Sequence, residues 1–142
     1  MASAQKFQAF VEHLAEKVHA LDVDTLKVML TLTAPVATNS VKADLTEIAA
    51  GNGYTAGGNT VAQTGSAQTS GTYKLTLTDT VWTASGGAIA NFRYPVLYND
   101  TPTSPADPLI LFWDYGSTVS LADGETFTWD QDVGGNGVLT LA

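Results

Sequence analysis

Residues 88–130 read AIANFRYPVLYNDTPTSPADPLILFWDYGSTVSLADGETFTWD, and this stretch decides the fold class. In residues 88–98, Ala90, Phe92, Tyr94, Val96 and Tyr98 alternate with Ile89, Asn91, Arg93, Pro95 and Leu97, the period-2 pattern of a strand. Pro95 predicts an edge position or a bulge there, because proline has no N–H to give to a ladder. Residues 101–108 hold three of the five prolines and read as a stiff surface loop. Residues 109–115 are nearly all apolar, as expected of a central strand covered on both faces. Residues 118–121 and 125–130 are short strands joined through Ala122-Asp123-Gly124-Glu125, a tight hairpin signal.

The same period extends upstream. Leu26-Lys27-Val28-Met29-Leu30-Thr31-Leu32 alternates and is closed by Thr33-Ala34-Pro35. Residues 60–68 form a polar strand with little to bury, which suits a sheet edge. In residues 72–83, Tyr73, Leu75 and Leu77 share one face and Lys74, Thr76 and Thr78 the other. A register change at Asp79 precedes Val81-Trp82. Residues 44–50 fit a short strand or a single helical turn equally well, and glycine-rich turns flank Tyr54. Residues 138–141 are a last strand, after the turn residues Gly134-Gly135-Asn136-Gly137.

The N-terminal segment has a different period. Phe7, Phe10, Val11, Leu14, Val18 and Leu21 form one apolar stripe at helical spacing, which predicts a helix over residues 4–20 with Ser3 as N-cap. Such a stripe either covers the sheet or docks on another subunit; Phe7 and Phe10 are the candidate contacts for docking. The whole chain, residues 1–142, reads as a single domain with no internal repeat and no linker. The expected fold is mainly β: one antiparallel β-sandwich or jelly roll of about seven to nine strands over residues 24–142, with one N-terminal amphipathic helix.

Composition excludes several classes of function. There is no cysteine, so disulfides, Cys-ligated metals and Cys nucleophiles are absent. Fourteen acids against six scattered bases give a net charge of −8, which argues against nucleic acid as a partner. No apolar run is long enough to span a membrane, and residues 1–6 lack the pattern of a secretory signal, so synthesis in the cytoplasm is expected. Charged residues make up 14% of the chain against a typical ~25%, and Thr, Ala, Gly, Ser and Asn fill the surface instead. A surface of that kind is inexpensive to desolvate.

No constellation reads as an active site, cofactor site or metal site. His13 and His19 lie six residues apart, which on one continuous helix is about 600° of rotation and puts them on different faces. Asp123 with Glu125, and Asp130 with Asp132, have the residue types of a glycosidase pair or a calcium loop. Each pair sits in turn sequence, where Asp is favoured for backbone reasons. Of Trp82, Trp113 and Trp129, Trp113 belongs to the most apolar strand and Trp129 shares a face with Phe127. That leaves Trp82, following a polar strand, as the candidate exposed aromatic for a partner or a sugar.

The order of motifs also resembles that of a known group. Phe92-Arg93-Tyr94, Tyr98-Asn99-Asp100, Pro108-Leu109-Ile110, Trp113-Asp114-Tyr115-Gly116 and residues 121–127 follow one another as in small virion structural proteins of tailed bacteriophages. Leu26-Lys27-Val28, Thr33-Ala34-Pro35, residues 44–48 and Gly53-Tyr54-Thr55 extend the resemblance over most of the chain. It implies a non-enzymatic virion protein, a capsid decoration (cement) protein bound to the major capsid protein; the net charge of −8 points to the outside of the head, away from packaged DNA, and the charge-poor surface to a homo-oligomer. A neck or tail component is the first alternative, and a carbohydrate-binding or adhesive sandwich the second.

Overall fold

Twelve short strands form in the computed structural model, which describes residues 3–132 and 136–142. The first elements are β1 (Ala4–Lys6), helix α1 (Ala9–Ala15), β2 (Leu26–Thr31) and a single 3-10 turn (Lys42–Asp44). They are followed by β3 (Asn59–Val61), β4 (Gln63–Thr69), β5 (Thr72–Leu77) and β6 (Thr80–Thr83). Next come β7 (Ile89–Phe92), β8 (Tyr94–Asn99) and β9 (Leu109–Trp113). The chain closes with β10 (Val119–Leu121), β11 (Thr126–Trp129) and β12 (Leu139–Leu141).

Among the described residues all pairing is antiparallel, and no sheet closes on itself. The largest sheet has the order β1-β9-β8-β2-β3; a three-stranded sheet has the order β12-β5-β4; β10 pairs with β7 and β11 with β6. Alternation on β2 divides its side chains between two cores. Leu26, Val28 and Leu30 join a large cluster drawn from all four sheets, and Met29 joins a smaller one with Phe7, Val96, Tyr98, Leu109 and Phe112. The five-stranded sheet is therefore covered on both faces, which is why β9 is apolar throughout and buried at every position. A run of aromatic rings, from Tyr54 through Trp82 and Phe127 to Trp129 and Trp113, crosses the large core.

Several expectations are corrected. The helix spans only Ala9–Ala15, without Ser3 as its cap, because residues 4–6 instead pair with β9, Ala4 opposite Trp113 and Lys6 opposite Leu111. That pairing satisfies the open edge of β9, and the Phe7 N–H continues it to the Ile110 carbonyl at 3.2 Å. The helix ends where Lys17 takes a left-handed φ of 66°. Among the described residues strands number twelve rather than seven to nine, since turns and bulges cut the periodic runs into pieces of three to seven residues. Arg93 divides the predicted strand over residues 88–98, so that β7 and β8 belong to different sheets. Of the two positions expected for Pro95, the edge is not found, since β8 lies between β9 and β2; its ladder with β9 opens one residue later, at Val96, and carries a register shift between Leu97 and Tyr98. Residues 44–50 are neither strand nor α-helix; Glu47 makes an isolated bridge to Thr31.

The three candidate partner contacts are all interior. Phe7, Phe10 and Trp82 are at most 1% exposed. Phe7 and Phe10 turn into separate cores because a strand and a helix divide the stripe between them. Trp82 is in phase with buried Thr80, so Val81 is the side chain that faces out.

Candidate docking surface

The β4–β5 hairpin turns through Ser70 and Gly71, whose φ values of 51° and 84° are those of the two-residue turn that matches the natural twist of strands. From that turn the parity of β5 is fixed. Leu75 and Leu77 point into the large core, and Thr72, Lys74 and Thr76 point away from it. Ala67 stands opposite Lys74 on one side and Thr140 opposite it on the other, and Gly65 stands opposite Thr76. Gly65, Ala67, Thr72, Lys74, Thr76 and Thr140 line a shallow groove on the outer face of the three-stranded sheet. Its chemistry is that of hydroxyls, methyl groups and exposed backbone. From Ile48 to Tyr73 the sequence has no charged side chain, and β4 lies within that stretch.

On its other side the hairpin faces the segment after α1. Leu14, His19, Leu21, Ser66, Tyr73 and Leu141 line a second groove there. The Gln63 side chain donates to the carbonyls of Leu21 (3.0 Å) and Asp24 (2.7 Å), fastening the start of β4 to that segment.

The histidines are closer than a continuous helix allows. Because α1 stops at Ala15 and the chain turns back, the rings of His13 and His19 come within 6.0 Å. The Asn99 side chain accepts from the Thr101 N–H through Oδ1, so its amide nitrogen faces His19 Nδ1 at 3.1 Å and Asp24 Oδ2 at 2.6 Å. His19 Nδ1 is then the acceptor and its proton sits on Nε2. Burial, reinforced by His13 and opposed by Asp24, pushes the His19 pKa down to about 4. His19 is therefore neutral near pH 7 and joins the helical segment to the end of β8.

Other polar groups hold loops. Glu47 Oε1 accepts from the Tyr54 hydroxyl (2.7 Å) and the Gly57 N–H (2.6 Å), and Oε2 pairs with Lys42 at 3.2 Å. The Tyr54 hydroxyl in turn accepts from the buried Leu30 N–H, so one carboxylate ties the loop over residues 51–58 to β2. Burial, with Glu47 adjacent, raises the Tyr54 pKa. Arg93 holds Asp114 in a two-pronged contact at 2.6 and 2.9 Å, which with the Gly116 N–H lowers the Asp114 pKa.

The carboxylates considered for catalysis or calcium are engaged by backbone. Asp123 accepts from Gly86, Glu125 from Ala122, and Asp130 from Asp132. Part of the calcium-loop reading, at residues 133–135, falls outside the described residues. Among the described residues no group of three or more His, Asp or Glu is placed to hold a metal ion.

Sequence reasoning found the polar edge but not the face. The signal was present in the parity of Thr72, Lys74 and Thr76 against Tyr73, Leu75 and Leu77. The pairing of His13 with His19 was hidden by a helical period that runs on past the true helix end. Comparison with protein-family models, with curated proteins and with solved structures gives no match to this chain.

Proposed function

We propose that this protein is a non-enzymatic structural component of a tailed-bacteriophage particle, a decoration protein seated on the outer surface of the head against the major capsid protein. The observation that carries the reading is the outer face of β4, β5 and β12: hydroxyl-bearing and small residues, with Lys74 its one charged lining residue. Such a face loses little on desolvation and adapts its hydrogen bonds to a protein surface. The motif order shared with small virion proteins supplies the setting. On this reading the four sheets form the two layers of a sandwich around the large core. A net charge of −8 supports the outside of the shell, since packaged DNA repels it.

Binding through such a face depends little on salt, and repetition over a symmetric lattice turns a modest contact into retention. Washing purified particles in about 1 M salt, where screening acts over ~3 Å, is expected to leave the protein in place by gel densitometry. Thr76→Glu is expected to release it while leaving the isolated chain folded. Complete release by salt alone overturns the neutral-contact reading, and a handful of copies per particle moves the protein to the neck or tail.

A further inference from the structure

We infer that the outer edge of β4 is a self-pairing surface, through which two copies of this chain join antiparallel about a two-fold axis at Ala67. The inference does not depend on the proposed place in a phage particle; it rests on edges, parity and charge.

Consider the edges of the two larger sheets. β1, β3 and β12 are three residues each, and β1 carries Lys6. Short or charged edges resist pairing with another chain. β4 is seven residues long, contains neither charge nor proline, and is exposed over most of its length. Its one irregularity lies between Gln63 and Gly65, leaving Gly65 to Thr69 in regular register with β5.

Parity then says which groups are open. In a hairpin with a two-residue turn, the flanking pair Thr69 and Thr72 exchanges both of its backbone bonds. Hydrogen-bonded and non-bonded pairs alternate from there, so Ala67 and Gly65 are committed to β5 while Ser66 and Gln68 aim their N–H and C=O groups outward. A second copy running antiparallel can satisfy both residues at once. Ser66 of each copy then lies opposite Gln68 of the other, in hydrogen-bonded pairs, with Ala67 facing Ala67 on the axis. That central position is a non-bonded pair, where side chains approach most closely, and a methyl group suits it. The contact is self-complementary and closes as a dimer, extending two three-stranded sheets into one of six strands.

Charge selects this edge over the rest of the surface. Two copies at −8 repel each other in general, but from Ile48 to Tyr73 there is no charge to repel. Lys74 on β5 stands directly opposite Ala67, and Asp22 borders the groove that Ser66 lines on the other face. The two lysines would stand three strand spacings apart, about 14 Å, which exceeds the ~8 Å screening length at physiological salt.

The test combines mass with amide exchange on the purified full chain over a concentration series. The expected result is a mass that doubles as concentration rises, with the Ser66 and Gln68 amides becoming protected only in the doubled species. The Gly65, Ala67 and Thr69 amides should be protected at every concentration, since they bond to β5. Ser66→Pro removes an outward N–H and leaves the β5 ladder intact, so it should stay monomeric with unchanged β circular dichroism. Ala67→Glu, which sets two carboxylates across the axis, should do the same. A chain that stays monomeric at millimolar concentration overturns the inference. So does a dimer in which Ser66 and Gln68 exchange freely, or one that persists in both variants.

Discussion

At the scale of single residues, two buried polar groups carry more than their size suggests. The Tyr54 hydroxyl accepts the Leu30 N–H and donates to Glu47. Tyr54→Phe leaves that buried N–H without an acceptor, at a cost of about 1–3 kcal/mol. Urea unfolding should show the loss as a lower midpoint with the slope unchanged. His19 makes stability depend on pH. Its folded pKa of about 4 lies below the ordinary 6.5, so the folded chain refuses a proton that the unfolded chain accepts. The stabilisation is complete above pH 6.5 and drains away as pH falls toward 4, in total about 3 kcal/mol. Urea midpoints at pH 7 and 4.5 should differ by much less in His19→Gln than in the parent. An equal drop in both would place the acid sensitivity elsewhere.

At the scale of elements, the turns and the N-terminal segment decide whether the sheets can close on the cores. Gly58 has a φ of 77°, and a Cβ there would overlap the Val28 carbonyl of β2. Gly71 has a similar φ of 84° in the β4–β5 turn but opens into empty space. Gly71→Ala should therefore cost only the strain of a left-handed alanine, about 1 kcal/mol. Gly58→Ala should cost clearly more, because β2 must move as well. Thermal melts of the two variants side by side make that comparison. The N-terminal phenylalanines belong to the same scale. Phe7 and Phe10 fill different cores, so Phe7→Ser with Phe10→Ser removes two buried rings, each worth about 3–5 kcal/mol. Loss of β circular dichroism is expected. A folded double mutant would show that α1 and β1 are dispensable.

At the scale of the molecule, the distribution of charge matters more than its total. Lys27, Lys42 and Arg93 are held in ion pairs at 3.0, 3.2 and 2.6 Å. Each pair fastens two segments of the chain, and each is partly exposed, so these contacts guide loop placement more than they add stability. On the proposed function the docking face is the charge-poor one around β4, β5 and β12, and it is there that salt-resistant docking is expected.

The sequence by itself determined the class of structure. Period-2 alternation made β2, β5 and β8 strands, the unbroken apolar run made β9 a central strand, and the polar run over residues 60–68, which the structure splits into β3 and β4 of different sheets, made both of them edges. Those readings held because each depends on which side chains can be buried, a property of the local pattern. The carboxylates in turns were legible in part: Glu125 and Asp130 bond to backbone two or three residues away, whereas Asp123 accepts from the Gly86 N–H of a distant loop. What only the tertiary structure decided was which chain lies beside which. Helical spacing from Phe7 to Leu21 could not reveal that residues 4–6 pair with a strand more than a hundred residues later, and a short helix was the result. Pro95 obeyed its own rule, yet the end of a neighbouring ladder rather than a sheet edge accommodated it. Trp82 turned inward because Thr80 fixes its parity and Phe127 stands opposite. Local sequence sets a strand's period, while its phase, its neighbours and its partners are set by long-range pairing, where most of the hydrogen bonds and buried area are gained.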